Sequence, residues 1–161
     1  MVINMSIRLA QISDLDGINS LLYQVAAVHH NGRPDLFRPA SKKYTDEELC
    51  IHIEQEQDTR PIFVFEEDGR VLGYAFCILM DYSDEHVLTP IKSLYIDDLC
   101  VDENCRGKHV GTKLFDYVKT YAKDIGCYNV TLNVWACNPG AMKFYEACGM
   151  QVQKMGMETV L

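Results

Sequence analysis

The stretch from Ile96 to Leu114 constrains the fold of this chain more than any other. Apolar residues crowd Ile96–Val101, with Asp97 and Asp98 inside the run. A polar turn of Asp102, Glu103, Asn104 and Cys105 follows. Arg106, Gly107, Lys108, His109, Val110, Gly111 and Thr112 then open into a helical pattern. A strand that delivers a basic, glycine-bearing turn onto a helix N-terminus is an anion site. The first N–H groups of a helix have no intrahelical partner, and the helix dipole favours negative charge there. The paired glycines and Lys-Ser/Thr ending of a Walker A loop are missing, and so is the Gly-x-Gly-x-x-Gly dinucleotide fingerprint. A phosphorylated ligand of another kind is the expected occupant.

The flanking pattern supplies the rest of an α/β domain. Asn4–Ala10 reads as a short strand. Ser13 reads as the N-cap of a helix whose face is Leu15, Ile18, Leu22 and Val25, fading at His29–Gly32. Thr45 with Glu48 forms a capping box for a second helix over Asp46–Gln57. Pro61–Glu66 and Arg70–Met80 read as strands joined by an Asp68-Gly69 hairpin turn, and Ile91–Val101 as the next strand. Val110, Leu114, Tyr117, Val118, Tyr121 and Ile125 then make a helical stripe ending at Gly126. Tyr128–Trp135 reads as a strand, Asn138-Pro139 as a helix start and Gly149 as its stop. Gln151–Met155 and Met157–Leu161 read as two terminal strands. Hairpins followed by β-α-β-α-β predict a mixed α/β sheet with helices on both faces, in one domain spanning residues 1–161.

The formal net charge of −8 argues against nucleic acid or an anionic membrane as partner and suits a cationic, amine-bearing substrate. The seven cysteines form no Cys-x-x-Cys pair and no zinc-site spacing, so no metal is expected. Reduced thiols among apolar neighbours fit a cytoplasmic protein. No secretory signal and no membrane span are expected.

A second pattern sharpens the first. Asn138, Ala141, Phe144, Tyr145 and Gly149 fall in a run that reads Asn-x-x-Ala-x-x-Phe-Tyr-x-x-x-Gly, with Asn133 on the strand before it. Together with the Arg106–Gly111 turn, this resembles the GNAT superfamily of N-acetyltransferases, which use acetyl-coenzyme A. The motif resemblance covers about residues 91–150. His109 stands where the family's turn has its middle glycine.

The resemblance implies a GNAT-like fold, with a mostly antiparallel sheet splayed at the cofactor cleft. It also implies roles. The backbone of Leu99, Cys100 and Val101 runs beside the pantetheine arm, and a bulge frees a backbone N–H, that of Leu99, to polarise the acetyl carbonyl. Arg106, Gly107, Lys108, His109, Val110, Gly111 and Thr112 grip the pyrophosphate through the N–H groups of Lys108–Thr112. Asn133, Asn138, Ala141 and Phe144 line the other wall, and Tyr145 protonates the departing thiolate. Asp97 and Asp98, adjacent on a strand, are expected to point to opposite faces, so that one of them serves an amine acceptor. The family's acceptor pocket is shaped by the region of His29–Arg38. His29 and His30 read as partners of a helix C-terminal dipole, and Trp135 as core or dimer packing.

The implied activity is direct transfer of acetyl to a primary amine of a small molecule or protein, by a homodimer. A non-catalytic acetyl-coenzyme A sensor and an aminoglycoside-type acceptor are the alternatives.

Overall fold

The computed structural model describes residues 4–161. Nine regular elements carry it: β1 (Met5–Leu9), α1 (Leu15–Gly32), α2 (Asp46–Gln55), β2 (Ile62–Glu67), β3 (Arg70–Asp81), β4 (Lys92–Val101), α3 (Val110–Asp124), β5 (Asn129–Leu132) and α4 (Pro139–Ala147), with short 3₁₀ turns at Ile12–Asp14 and Glu103–Cys105. The strands form one five-stranded sheet in the order β1-β2-β3-β4-β5. The first four strands run antiparallel, and β5 lies parallel to β4.

Local chemistry explains most of the boundaries. Glu48 N–H donates to Thr45 Oγ1 at 3.2 Å and Thr45 N–H to Glu48 Oε2 at 2.8 Å, closing the predicted capping box of α2. Asp68 and Gly69 hold φ of +49° and +82°, the left-handed pair that a two-residue hairpin needs between right-twisted strands. The start of α1 differs from expectation. Ser13 sits inside the 3₁₀ turn, and Asp14 takes the cap position. The Asp14 carboxylate accepts the Gln11 N–H at 2.8 Å and pairs with Arg8, which ties β1 to the helix start.

The sheet is covered on both faces. On one side Ile18 and Leu22 of α1 and Leu49 and Ile53 of α2 pack on Val64, Tyr74, Phe76 and Cys100. On the other, Phe115, Val118 and Ala122 of α3 pack on Phe63, Ala75, Cys77, Leu94 and Ile96. Phe115 rather than Tyr117 completes the buried stripe of α3, and Tyr117 is exposed.

Three strand expectations fail in whole or in part. A strand needs a neighbouring edge to satisfy its N–H and C=O groups. Residues 151–161 pair with no strand, and Val152, Met155, Met157 and Val160 stay exposed. The strand expected over Tyr128–Trp135 is regular only over Asn129–Leu132, because its pairing with β4 ends at Ile96 opposite Leu132.

Gly73 sets how closely α3 approaches the sheet. A Cβ there would lie 2.9 Å from Leu114 Cδ1, 3.0 Å from the Cys100 carbonyl oxygen and 3.1 Å from Val110 Cγ1. Gly73→Ala is therefore expected to destabilise the fold by about 2 kcal/mol through overpacking, read as a lowered urea midpoint at unchanged slope.

Candidate active site

The site begins with a bulge in β4. Phe76 pairs with Asp98 and Cys77 with Ile96, so Asp97 is an extra residue with no partner on β3. A bulge kinks a strand and resets which side each residue faces. Ile96 belongs to the α3-side core, whereas Cys100, two residues beyond Asp98, belongs to the α1-side core. The two carboxylates follow the new phase. Asp97 accepts a hydrogen bond from the Tyr44 hydroxyl, and Asp98 accepts one from the Tyr74 hydroxyl at 2.7 Å. Tyr44 and Tyr74 both flank Phe76 on the α1/α2 side, with ring centroids 5.3 and 4.8 Å away. Asp97 and Asp98 thus share a face, against the expectation of opposite faces, because regular alternation stops at the bulge.

Beyond the bulge the edge of β4 is open. Tyr128 N–H donates to the Lys92 carbonyl at 2.8 Å, and the parallel pairing with β5 stops at Ile96. Asp102 N–H donates to the Leu72 carbonyl at 2.8 Å. Antiparallel hydrogen-bonded pairs recur every second residue, so Cys100 and Asp98 also face β3. The backbone groups of Leu99 and Val101 point the other way, into the space that β5 leaves free. Of the three residues expected beside a pantetheine arm, Cys100 is turned to β3. Its thiol lies 3.5 Å from the Leu21 carbonyl, and burial pushes its pKa up to about 12.

The cleft leads to the N-terminus of α3. Gly107 has φ +87° and His109 φ +60°, so two left-handed residues turn the chain from the strand end into the helix. Lys113 N–H makes the first helical bond, to the His109 carbonyl at 3.0 Å, while Lys108 N–H is held by the Cys105 carbonyl at 3.3 Å. The N–H groups of His109, Val110, Gly111 and Thr112 have no backbone acceptor among the described residues. They form a nest for an anion, narrower by Lys108 than the sequence suggests. Arg106, Lys108 and His109 are exposed beside it. Histidine reaches the turn geometry that glycine normally provides, at the cost of a left-handed backbone.

The facing wall is α4. Asn138 caps it, its Oδ1 accepting the Ala141 N–H at 3.1 Å, so this residue shapes the wall by holding the helix start. Phe144 lies over the first turn of α3, where a Cβ on Gly111 would be 3.2 Å from its Cζ. Tyr145 packs between Phe144 and Phe115, with centroids 5.1 and 6.0 Å away. Asn133 lies exposed beyond the end of β5 and donates to the Tyr95 hydroxyl at 3.2 Å.

Burial pushes the Tyr145 phenol well above its ordinary range, with the Asp98 charge adding to the effect, so the group stays protonated at neutral pH. Burial likewise pushes the Asp98 carboxyl up to about 6, against the opposing hydrogen bond from Tyr74. A neutral acid and a carboxyl that titrates near neutrality therefore lie within electrostatic reach of each other at the opening between β4 and α4.

Three residues of this region carry no sequence signal, and a fourth, Phe37, lies in the His29–Arg38 region expected to shape the acceptor pocket. Lys43 and Tyr44 reach Asp97 across more than fifty positions, and Tyr74 reaches Asp98 from the neighbouring strand. Phe37 joins His29 and Trp135, with ring centroids 5.1 Å from each. Trp135 is 46% exposed and outside the core. Burial, and then the Lys43 ammonium, hold His29 below its ordinary range, so it sits as a neutral ring on Phe37 rather than as a cation at the helix end.

A splayed β4–β5 cleft ending on an amide nest defines a protein that holds a phosphorylated, extended ligand against an exposed strand edge. Comparison with known proteins gives that class its name. The sequence profile described as the Acetyltransferase (GNAT) family matches residues 26–150. The chain is 36% identical over 118 residues to glucosamine 6-phosphate N-acetyltransferase from Arabidopsis thaliana, covering 70% of this chain and 75% of that protein. A mutant of the BH1408 protein from Bacillus halodurans superposes with a TM-score of 0.90 at 29% identity, over 97% of this chain and 99% of that one. The crystal structure of the Arabidopsis enzyme superposes with a TM-score of 0.72 at 27% identity, over 98% of each chain. The chain belongs to the GNAT family; it is an N-acetyltransferase of that type, and its cofactor is acetyl-coenzyme A.

The left-handed His109 yields a direct check. Replacing it by glycine is expected to stabilise the fold by about 1 kcal/mol, seen as a raised urea midpoint, because the turn then forms without the Cβ clash.

Proposed function

We propose that this enzyme transfers acetyl to the primary amine of a small molecule by direct attack in a ternary complex. The observation that carries the reading is the open edge of β4. The Leu99 and Val101 amides face a cleft at one end of which lies the α3 nest, and the bulge that opens it also turns two carboxylates to the opposite side of the sheet. Acetyl-coenzyme A, when bound, supplies the thioester carbonyl as electrophile.

The chain's own groups divide the remaining work. The His109–Thr112 amides, with Arg106 and Lys108 beside them, hold the pyrophosphate. The Leu99 and Val101 edge pairs with the pantetheine amides as an added strand would. The Leu99 N–H donates to the acyl oxygen as negative charge grows there, and a preorganised backbone donor costs no reorganisation. Phe144, Ala141 and the helix capped by Asn138 close the wall, with Asn133 at its outer end. The Tyr145 hydroxyl gives its proton to the departing sulfur; its raised pKa keeps the proton in place at neutral pH and disqualifies it as a base.

On the acceptor side Asp97 attracts and orients an ammonium, and Asp98 takes its proton. Asp98 is the better base of the two because its carboxyl titrates at about 6, close to working pH. The kinship to a glucosamine 6-phosphate N-acetyltransferase supports a small amine-bearing acceptor.

Tyr145→Phe is expected to lower kcat about 100-fold while acetyl-coenzyme A affinity, measured by titration calorimetry, changes little. An unchanged kcat with a turned-over amine removes Tyr145 from the acid role. Asp98 gives a pH test. Its folded pKa lies above the ordinary value of 3.8, so kcat/KM should rise as pH passes through about 6 and Asp98→Asn should flatten that limb. The same shift means that burial of Asp98 costs stability as pH rises through about 6 and costs nothing below about pH 4. Asp98→Asn should therefore be more stable than the parent at pH 7, by up to about 3 kcal/mol, and equal to it in acid.

A further inference from the structure

The acceptor side of the site already contains an ammonium, and it belongs to the chain. Lys43 Nζ donates to Asp97 Oδ1 at 2.8 Å and lies 3.4 Å from the Asp97 carbonyl oxygen. It stands 5.6 Å from the centroid of the Tyr44 ring, and the Tyr44 hydroxyl binds the other oxygen of the same carboxylate. A carboxylate, a carbonyl and an aromatic face thus converge on one primary ammonium, the three features by which proteins recognise alkylammonium groups. Asp97 is the bulged residue itself, two positions before the Leu99 amide. The Lys43 side chain is 46% exposed, so its stem can shift within the seat. Lys42 and Lys119 also lie by a carboxylate and an aromatic ring, but neither is at the bulge. Lys42 is spent on Asp46 and Asn19, and Lys119 pairs with Asp116 on the outer face of α3.

We propose that Lys43 is an acceptor of this enzyme's own reaction, a lysine seated at the bulge and acetylated there by the chain that carries it. The inference rests on the acetyltransferase reading above and extends it, naming an alkyl primary ammonium on a flexible stem as the chemistry the seat accepts. In the step, the Lys43 ammonium first loses a proton to Asp98 through water. Its nitrogen lone pair then forms the N–C bond to the acetyl carbon of acetyl-coenzyme A. The C–S bond breaks, its electron pair leaves on sulfur, and Tyr145 supplies the proton that makes the free thiol. The second nitrogen proton replaces the one that Tyr145 gave up, and Asp98 passes its own to solvent, so one proton is released overall as the amide forms. The products are Nε-acetyl-Lys43 and coenzyme A, with no oxidant or reductant involved. The acetylated side chain carries no charge, so its ion pair with Asp97 is lost.

The test uses the intact protein and acetyl-coenzyme A with no added amine, followed by intact mass and peptide mapping at several protein concentrations. One acetyl group should appear on Lys43, with a first-order rate constant that does not change with protein concentration. The label should be absent from Lys43→Arg, which keeps the charge on Asp97, and should form about tenfold more slowly in Asp97→Asn, where the seat has lost its charge. A panel of primary amines with thiol release as readout runs alongside. Turnover of an amine by a protein whose Lys43 stays unmodified overturns this inference and leaves the acetyltransferase reading standing. Label spread evenly over Lys42, Lys119 and Lys143 overturns it as chemical acetylation, and a rate that scales with protein concentration overturns transfer within one chain. Failure of both Lys43 and every amine to react, with acetyl-coenzyme A demonstrably bound, sinks the proposed mechanism itself.

Discussion

The extra residue in β4 governs the geometry of this protein. Up to Ile96 the strand is held on both edges, by β3 and by β5. At Asp97 the ladder to β3 slips by one residue, the strand bends, and β5 no longer follows. Three consequences meet at that point. The edge amides of Leu99 and Val101 are released for a ligand, the two carboxylates turn to the α1/α2 side, and α4 can lie across the gap with Tyr145 facing it. None of these needs a long or specialised loop. They come from interrupting one strand between two rigid neighbours, which keeps the groups on well-packed elements.

Burial then differentiates the polar groups that the bulge has placed. Tyr145 and Asp98 are both pushed toward their neutral forms by burial, and the Asp98 charge adds to the shift of Tyr145. For a phenol this fixes the proton in place; for a carboxyl it brings ionisation up to the pH at which amines must be deprotonated. Asp97, held by Lys43 and Tyr44, has different partners from its neighbour despite identical chemistry. The Glu103–Cys105 turn and the left-handed His109 fix the distant end of the cleft, where the amides of His109–Thr112 have no backbone acceptor among the described residues.

Much of this is legible in the sequence because local rules decide it. The Thr45–Glu48 box, the Asp68-Gly69 turn, the Asn138 cap and the Arg106–Thr112 junction each involve residues within a few positions of one another. What the sequence hides is contact between distant positions and the loss of a period. Tyr44 and Tyr74 meet the acidic pair only through the fold. A bulge leaves no mark in a run such as Ile96–Val101, so alternation predicts opposite faces for Asp97 and Asp98 where the slipped ladder gives one. The final residues show the converse failure: Gln151–Leu161 has strand-compatible composition but pairs with no strand among the described residues, and composition alone cannot supply hydrogen-bond partners.

The bulge also means that β4 is two half-strands running in opposite phase. Ile96 and Leu99 serve the α3 layer, and Asp98 and Cys100 the α1 side, only because one residue between them is uncounted. Exchanging Asp97 for another amino acid removes an interaction and leaves that counting intact. Deleting it would restore a regular strand with Ile96 and Leu99 still on one face and Asp98 and Cys100 still on the other, and would remove the kink and one of the two carboxylates together. What the extra residue contributes is thus the bend and the second carboxylate on one face, and chain length through this segment is as much a part of its chemistry as any side chain.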